Sequence, residues 1–518
     1  MIFANYTANL RGQNLKNLCT LLIVLIVISG CIRFKQEKDV DVELPNIVFI
    51  MADDMGYGDV GCYNPDSRIP TPNMDRLASE GIMFTDAHSP SAVCTPSRYG
   101  LLTGRYCWRT RLKKGVILGY DEVPLIEKDR MTLASLLKEK GYTSAGIGKW
   151  HVGLNWQTKN GYKLQDDLNN SKDYSGFVRQ NEENIDFTKP VSGGPLDLGF
   201  DYFFGTFGCS TSDPPYTFME NKHTVGIPSV LIPDSLDMLP GVVKGLMVPG
   251  WSEENVDLEF TQKATEFIDR SQKAHEKKPF FLYLALSSPH IPFLPPNFAK
   301  EKSEEGPRGD LVTVVDWSVG KIMATLEQYH LSKNTLVIVT SDNGPRKGAN
   351  GHLSAGNFKG YKGTILEGGH RVPFIAKWPG KIAPGTSSSQ TISLTDMFAT
   401  FSNLSLKNTT QLGGEDSYNM LPAFFGETID QADEQLRIFH SATGAFAIRK
   451  GKWKLIEGEN KKESEKTYNK SSKSIGELYD LSSDPFEEIN MWEKKPQVVL
   501  ELTELLAQSK KKESIINL

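Results

Sequence analysis

Four unbroken apolar runs, separated by segments with helical spacing, restrict the fold of this chain more than any other feature. Asn46-Ile47-Val48-Phe49-Ile50-Met51-Ala52 is continuous and rich in β-branched residues. A run that does not alternate reads as a strand covered on both faces. Similar runs occur at Ser144 to Ile147, Pro279 to Leu286 and Leu336 to Thr340. Leu133, Leu136 and Leu137 follow Thr132, a residue suited to cap a helix start. Val256, Phe260, Ala264, Phe267 and Ile268 follow Ser252, and Leu311, Val315, Val319, Ile322 and Leu326 form a further stripe. Doubly covered strands alternating with one-sided helices predict an α/β sandwich around a large, mostly parallel central sheet. A length of 518 residues is ample for that core and a smaller domain beside it.

The rest of the chain divides by composition. Residues 1–30 carry Arg11 and Lys16, no acidic residue, and an apolar run from Leu21 to Ile28. That describes an export signal, and the run is shorter than the roughly 20 residues of a spanning helix. Residues 31–44 are charged and read as a tether, and 45–434 as the main α/β domain. Asn155 to Leu198 is polar, and Asp213 to Pro249 is rich in proline and glycine. Both predict long irregular loops at the rim of a cleft. From Gln435 to the end, short strands are expected at Ile438 to Gly444, Phe446 to Arg449, Trp453 to Ile456 and Glu477 to Leu481. With a helix from Pro496 to Ser509 they make residues 435–518 a smaller α+β subdomain. Residues 459–474 read as a solvated loop. A net charge of −5 and a pI near 6.1 exclude a general nucleic-acid binder, so an anionic substrate must be held by local charges.

In open α/β sheets, ligands bind beyond the carboxyl ends of the strands. Asp53, His151, His290 and Asp342 each follow a strand-like run and are expected to converge on one cleft. Asp53, Asp54, Asp342 and Asn343 offer only oxygen ligands, which suits calcium or magnesium better than zinc. Cys94 has Arg98 four residues on, and a nearby cation lowers a thiol pKa. Pro96 suits a first helical turn, so Cys94 is expected near a helix N-terminus, where anions are favoured. His151 and His290 are candidate proton carriers, because imidazole titrates near neutrality. Of six cysteines, Cys62, Cys107 and Cys209 have no assigned role; one disulfide could form among them, with a pairing that is not legible.

The run Cys94-Thr95-Pro96-Ser97-Arg98, followed by Leu101-Leu102-Thr103-Gly104-Arg105, resembles the maturation and active-site motif of the type I sulfatases. Further family-like pieces appear in the family order: Asp53-Asp54-Met55-Gly56-Tyr57-Gly58-Asp59, Gly148-Lys149-Trp150-His151, Ser288-Pro289-His290, Ser341-Asp342-Asn343-Gly344, Tyr361-Lys362-Gly363-Thr364 and Glu367-Gly368-Gly369-His370-Arg371-Val372-Pro373. The resemblance implies an alkaline-phosphatase-like fold and hydrolysis of sulfate monoesters. It implies that a formylglycine-generating enzyme oxidises Cys94 to Cα-formylglycine (3-oxoalanine), whose hydrated aldehyde is the nucleophile. It also implies one Ca2+ held by Asp53, Asp54, Asp342 and Asn343, in contact with position 94. Zinc phosphatases of the superfamily carry histidine among their ligands, where this chain has Asn343. By the same resemblance Arg98 steadies the nucleophile and the carboxylates, and Lys149 and Lys362 hold the sulfate oxygens. His151 serves as base in regeneration, and His290 protonates the leaving sugar oxygen. His370 and Arg371 touch substrate or support Lys362.

Two further resemblances bear on substrate and place. Thr211 to Asn221 is similar to a stretch of sulfatases acting on galactose or N-acetylgalactosamine 6-sulfate, with Asp213 a candidate sugar contact. Ile28-Ser29-Gly30-Cys31 resembles a bacterial lipobox, which implies lipidation at Cys31 and a membrane-anchored protein of the periplasm or cell surface. The implied partner is a sulfated glycan. Two rival functions stand beside this one: a phosphodiesterase or phosphonate monoester hydrolase with the same nucleophile, and a non-catalytic glycan-binding lipoprotein. The presence of every expected catalytic residue speaks against the second.

Overall fold

The computed structural model describes residues 44–118, 120, 123–162, 164, 174–404, 413–458 and 476–516. The expected signal, Cys31, the tether up to residue 43 and the loop at 459–474 lie outside the described residues. Ten strands form the central sheet: β1 Asn46–Ala52, β2 Ile82–Phe84, β3 Thr143–Lys149, β4 Tyr202–Thr206, β5 Met219–Glu220, β6 His223–Thr224, β7 Phe280–Ala285, β8 Thr335–Ser341, β9 Phe374–Lys377 and β10 Thr386–Ser388. Their order is β10-β2-β9-β8-β1-β7-β3-β4-β5-β6. The central block from β8 to β4 is parallel throughout. Antiparallel pairs occur only toward the two edges.

The continuous apolar runs become the middle strands because both faces there are covered. Every residue of β1, β7 and β8 is buried. On one face Val48, Ile50, Leu282, Leu284, Val337 and Val339 pack against α1 (Pro72–Ser79), α4 (Val256–Lys273) and α5 (Pro307–Gln328). On the other, Phe49 and Phe281 meet Phe401, on the side that also carries α2 (Cys94–Thr103) and α3 (Leu133–Glu139). The Thr132 side chain caps α3 by accepting the Ser135 N–H, and Ser135 returns a bond to the Thr132 backbone.

Four antiparallel strands, β11 Leu436–His440, β12 Phe446–Lys450, β13 Trp453–Ile456 and β14 Glu477–Asp480, make the small C-terminal sheet. Helix α6 (Pro496–Lys511) packs Leu502 and Leu506 onto it.

The two stretches expected as irregular loops are more ordered than their composition suggests. Part of the first is a helix, Tyr174–Asn184. In the second, β5 and β6 extend the sheet edge through a two-residue turn at Asn221 and Lys222, where Asn221 adopts φ 57°. Asparagine tolerates that left-handed geometry, which hairpin turns require. Val230–Leu231 pairs with Leu246–Met247 as a second short ribbon. The aromatic residues of this stretch supply its anchor: Phe218 lies edge-on to Phe260 in the core.

Candidate active site

The five strands of the central parallel block each deliver a polar side chain from their carboxyl ends into one place. β1 is followed by Asp53 and Asp54, β3 by Trp150 and His151, β4 by Phe207-Gly208-Cys209, β7 by Ser287 to His290, and β8 by Asp342 and Asn343. Lys149 is the last residue of β3. Close approach here needs glycine. A Cβ on Gly148 would stand 1.9 Å from the Ala285 carbonyl oxygen, and Gly148 has φ +111°. Asp54 and His151 also adopt left-handed backbone angles, at φ 69° and 56°. Such conformations cost about 1–3 kcal/mol each and cluster where function demands them.

Cys94 is the first residue of α2 and is buried. Its Sγ lies within 4.8 Å of ligand oxygens of Asp53 and Asp342. Arg98, one turn on, is fully buried. Its Nε and Nη2 donate to Asp342 Oδ2 at 3.0 and 2.7 Å, and its Nη1 donates to the Lys149 carbonyl at 3.0 Å. Lys149 Nζ stands 2.6 Å from Asp53 Oδ2, and Lys362 Nζ 2.6 Å from Asp54 Oδ1. Asn343 Nδ2 donates to Asp54 Oδ1 at 2.7 Å. Three carboxylates, Asp53, Asp54 and Asp342, thus face Arg98, Lys149 and Lys362, and Arg346 Nε stands 3.6 Å from Asp54 Oδ2.

After these contacts, Asp53 Oδ1, Asp54 Oδ2 and Asn343 Oδ1 are buried without a hydrogen-bond partner among the described residues. Orphaned oxygens of this kind are costly unless a cation uses them. Burial, with the adjacent Asp53 carboxylate adding to it, pushes Asp342 up to about 8. Burial also raises Asp53, but Lys149, His290 and Arg98 together hold it below the usual carboxylate range. An all-oxygen donor set with three oxygens that lack a hydrogen bond fits one hard divalent ion, as expected for calcium.

The two histidines approach from the other side. His151 Nε2 is 2.6 Å from the Ile117 carbonyl oxygen, so that nitrogen carries the proton and Nδ1 keeps its lone pair. His290 Nδ1 donates likewise to the Ile291 carbonyl at 2.8 Å, and Nε2 lies 4.0 Å from Cys209 Sγ and 3.9 Å from Asp54 Oδ2. Burial, with Lys362 adding to it, pushes His290 down to about 4, so its ring is neutral here at physiological pH. A hydrogen bond from Cys209 holds the Cys94 thiol well below its ordinary range against burial, and Lys149, His151 and Lys362 act in the same direction.

Asp213 is buried beside this group and accepts the Cys209 N–H at 3.3 Å. Cys209 itself has no role in the sequence reading, although it follows a parallel strand by three residues, much as His151 follows β3. Cys62, Cys94, Cys107 and Cys209 are all free thiols.

His370 and Arg371 are not brought to the cluster. His370 contacts His88 Nδ1 at 3.0 Å and Lys454 Nζ at 3.0 Å. Arg371 pairs with Glu367 at 2.7 Å and Asp86 at 2.9 Å. Lys454, from β13, reaches Glu367 at 2.9 Å and Glu487 at 2.8 Å, so this second network joins the C-terminal sheet to the turn after Lys362. Lys454→Met should lower stability by about 3 kcal/mol, because it removes the cation paired with buried Glu487 and leaves Glu367 to Arg371 alone. Denaturant midpoints at constant m measure this, and a loss below about 1 kcal/mol would show the network to be dispensable.

Comparison with known proteins adds an independent line. The protein-family model described as Sulfatase matches residues 45–405. An N-acetylgalactosamine-6-O-sulfatase of Bacteroides thetaiotaomicron is 33% identical over 96% of this chain and 99% of that protein. Arylsulfatase A of Homo sapiens is 33% identical over 86% of this chain and 83% of its own length. A solved Bacteroides thetaiotaomicron structure, designated 6S-sulf in a study of glycosaminoglycan metabolism, has a TM-score of 0.75 at 30% identity, covering 91% of this chain and 100% of that one.

Proposed function

The chain belongs to the sulfatase family and is a sulfuric ester hydrolase, and on that premise we propose that it removes sulfate from sulfated carbohydrate, with the 6-sulfate of galactose or N-acetylgalactosamine as the favoured group. The observation that carries the chemistry is Cys94 at the start of α2, among Asp53, Asp342, Lys149, His151 and Lys362. The similarity to an N-acetylgalactosamine-6-O-sulfatase over nearly the whole of both chains supports the sugar.

In the matured protein, position 94 would carry formylglycine; the Sγ contacts described above stand in for those of its hydroxyls, which would supply the nucleophile. A calcium ion held by Asp53, Asp54, Asp342 and Asn343 would lower the pKa of that nucleophile. Arg98 keeps Asp342 oriented and cannot drift, being enclosed on all sides. Lys149 and Lys362 would turn their charge to the sulfate oxygens and stabilise the charge that develops there. His151, whose Nδ1 is 3.7 Å from Cys209 Sγ and whose Nε2 is held by Ile117, would take the proton from the hydroxyl at position 94. His290 would deliver a proton to the departing sugar oxygen. Its ring is neutral in the substrate-free site, and the charge of a bound sulfate would raise its pKa toward neutrality. Along with Thr211, Glu253 and Pro292, His290 also lines an adjoining surface cleft, where the leaving sugar would lie. Asp213 would read a sugar hydroxyl from the rim.

The test is sulfate release by matured protein from 4-sulfated and 6-sulfated galactose and N-acetylgalactosamine, with aryl sulfate and aryl phosphate alongside. The account expects the 6-sulfates to turn over at least tenfold faster than the 4-sulfates. Preference for 4-sulfates would overturn the regiochemistry, and faster aryl phosphate cleavage would overturn the ester class.

We also place the protein outside the cytoplasmic membrane of a bacterium, anchored through lipid on Cys31. Among the described residues no helix is long and apolar enough to cross a membrane. Cys31→Ala should move the protein from the membrane fraction to the soluble or secreted fraction on cell fractionation. An unchanged distribution would remove the anchor.

A further inference from the structure

Arg346 stands at the mouth of the site with its guanidinium uncommitted. It follows the strand-end segment Asp342-Asn343-Gly344-Pro345. Its Nε lies 3.6 Å from Asp54 Oδ2, the oxygen that His290 Nε2 approaches to 3.9 Å. That separation is beyond hydrogen-bond reach, and Asp54 Oδ2 has no hydrogen bond among the described residues. Lys362 Nζ, at 2.6 Å, already balances the other oxygen of the same carboxylate. Among the described residues the Arg346 side chain makes no hydrogen bond, and it is 43% exposed, against 13% for Lys362. The backbone beneath it is pinned. The Arg346 carbonyl accepts the Ser354 hydroxyl at 2.7 Å, the Pro345 carbonyl accepts the Lys362 N–H at 2.8 Å, and the Gly344 N–H donates to the Gly369 carbonyl at 2.9 Å. One brace therefore offers both cations, Lys362 inward and Arg346 outward.

A guanidinium carries its donors in a planar fork that matches a carboxylate or a sulfate and grips two oxygens at once. Such a fork, without a protein acceptor and on a fixed backbone beside the site, suits an acceptor that arrives with the substrate. Lys149 and Lys362 both act on the Cys94 thiol and are the cations nearest the reacting position. Arg346 is the more exposed, and so is placed to meet a group further out on the sugar. We infer that Arg346 is a specificity-determining residue that binds a second anionic group of the glycan, a carboxylate or a further sulfate beside the one being removed. The inference rests on the reading of the substrate as sulfated carbohydrate, and it narrows that substrate to chains with more than one negative charge. A glycan with no second charge leaves the fork bonded to water and gains nothing from it.

The experiment uses matured full-length protein turning over an aryl sulfate, with three saccharides added in turn as competitors. They are 6-sulfated N-acetylgalactosamine, its 4,6-disulfate, and the 6-sulfated sugar linked to a uronic acid. In the wild-type chain at least one of the two doubly charged competitors should inhibit about tenfold more tightly than the single sulfate, the scale of a charge-assisted hydrogen-bonded pair. A gain with the disulfate alone identifies a second sulfate as the ligand, and a gain with the uronate alone identifies a carboxylate. In Arg346→Ala the tenfold ratio should fall below about twofold. Arg346→Lys, which keeps the charge without the fork, should retain only part of it. Each ratio is internal to one protein, so a general change in activity cancels. Equal inhibition by all three in the wild-type chain overturns the inference and leaves the carbohydrate reading standing, whether or not any variant folds. A ratio undiminished in Arg346→Ala also overturns it, by placing the second anion on another residue. No inhibition by any of the three overturns the galacto-sugar reading, and the inference with it.

Discussion

Cys94→Ala is expected to lower sulfate release by about 10⁵-fold or more, the scale on which enzymes lose rate when a covalent nucleophile is removed. The change should act on chemistry alone. Cys94 is small, buried and first in its helix, so alanine removes one sulfur and leaves the backbone of α2 intact. Arg98 would still hold Asp342, and Lys149 would still pair with Asp53. Thermal unfolding of the variant should therefore stay near that of the parent. Cys94→Ser should fail almost as completely if residue 94 acts as the proposed hydrated formylglycine, because a single hydroxyl offers nucleophilicity without the second hydroxyl that would let sulfate depart. A loss of less than tenfold in either variant, with the fold intact, would mean that another group attacks sulfur.

His290→Ala should separate two kinds of substrate. A sugar alkoxide is a poor leaving group and needs its proton in the transition state, whereas an activated aryl oxide does not. General acids contribute about 10²–10⁴-fold, so the variant should lose that much on a sugar sulfate and less than tenfold on an activated aryl sulfate. The structure offers one reason to expect a clean result. His290 is held by Ile291 through Nδ1 and contacts Asp54 only at 3.9 Å, so its removal breaks no short contact to a carboxylate, and Lys149 and Arg98 still hold Asp53. Equal losses on both substrates would assign His290 to sulfate binding or to the metal site instead.

Much of this architecture is legible in the sequence, for definite physical reasons. Strands buried on both faces cannot alternate, so β1, β7 and β8 announce themselves as apolar runs. Parallel strands must present their carboxyl ends to the same side, so Asp53, His151, His290 and Asp342 could be expected together before any coordinates. Thr132 is legible because capping depends on two neighbouring residues.

Other features depend on long-range contacts and were not legible. β5 and β6 are two residues each, too short to leave a period, and rest on Phe218 meeting Phe260. His370 and Arg371 look like cleft residues beside the Lys362 loop. Their partners come from distant parts of the chain: Lys454 meets His370, and Asp86 meets Arg371. Cys209 was within reach of the strand-end rule, but β4 is a mixed run, Tyr202-Phe203-Phe204-Gly205-Thr206, and does not stand out as apolar.

The most direct test of the central claim is the mass of the peptide containing residue 94, measured across preparations of graded specific activity. The account predicts that sulfate release rises in proportion to the fraction of that peptide in which the thiol has become an aldehyde, and vanishes with it. Full activity in a preparation whose residue 94 is entirely thiol would contradict it.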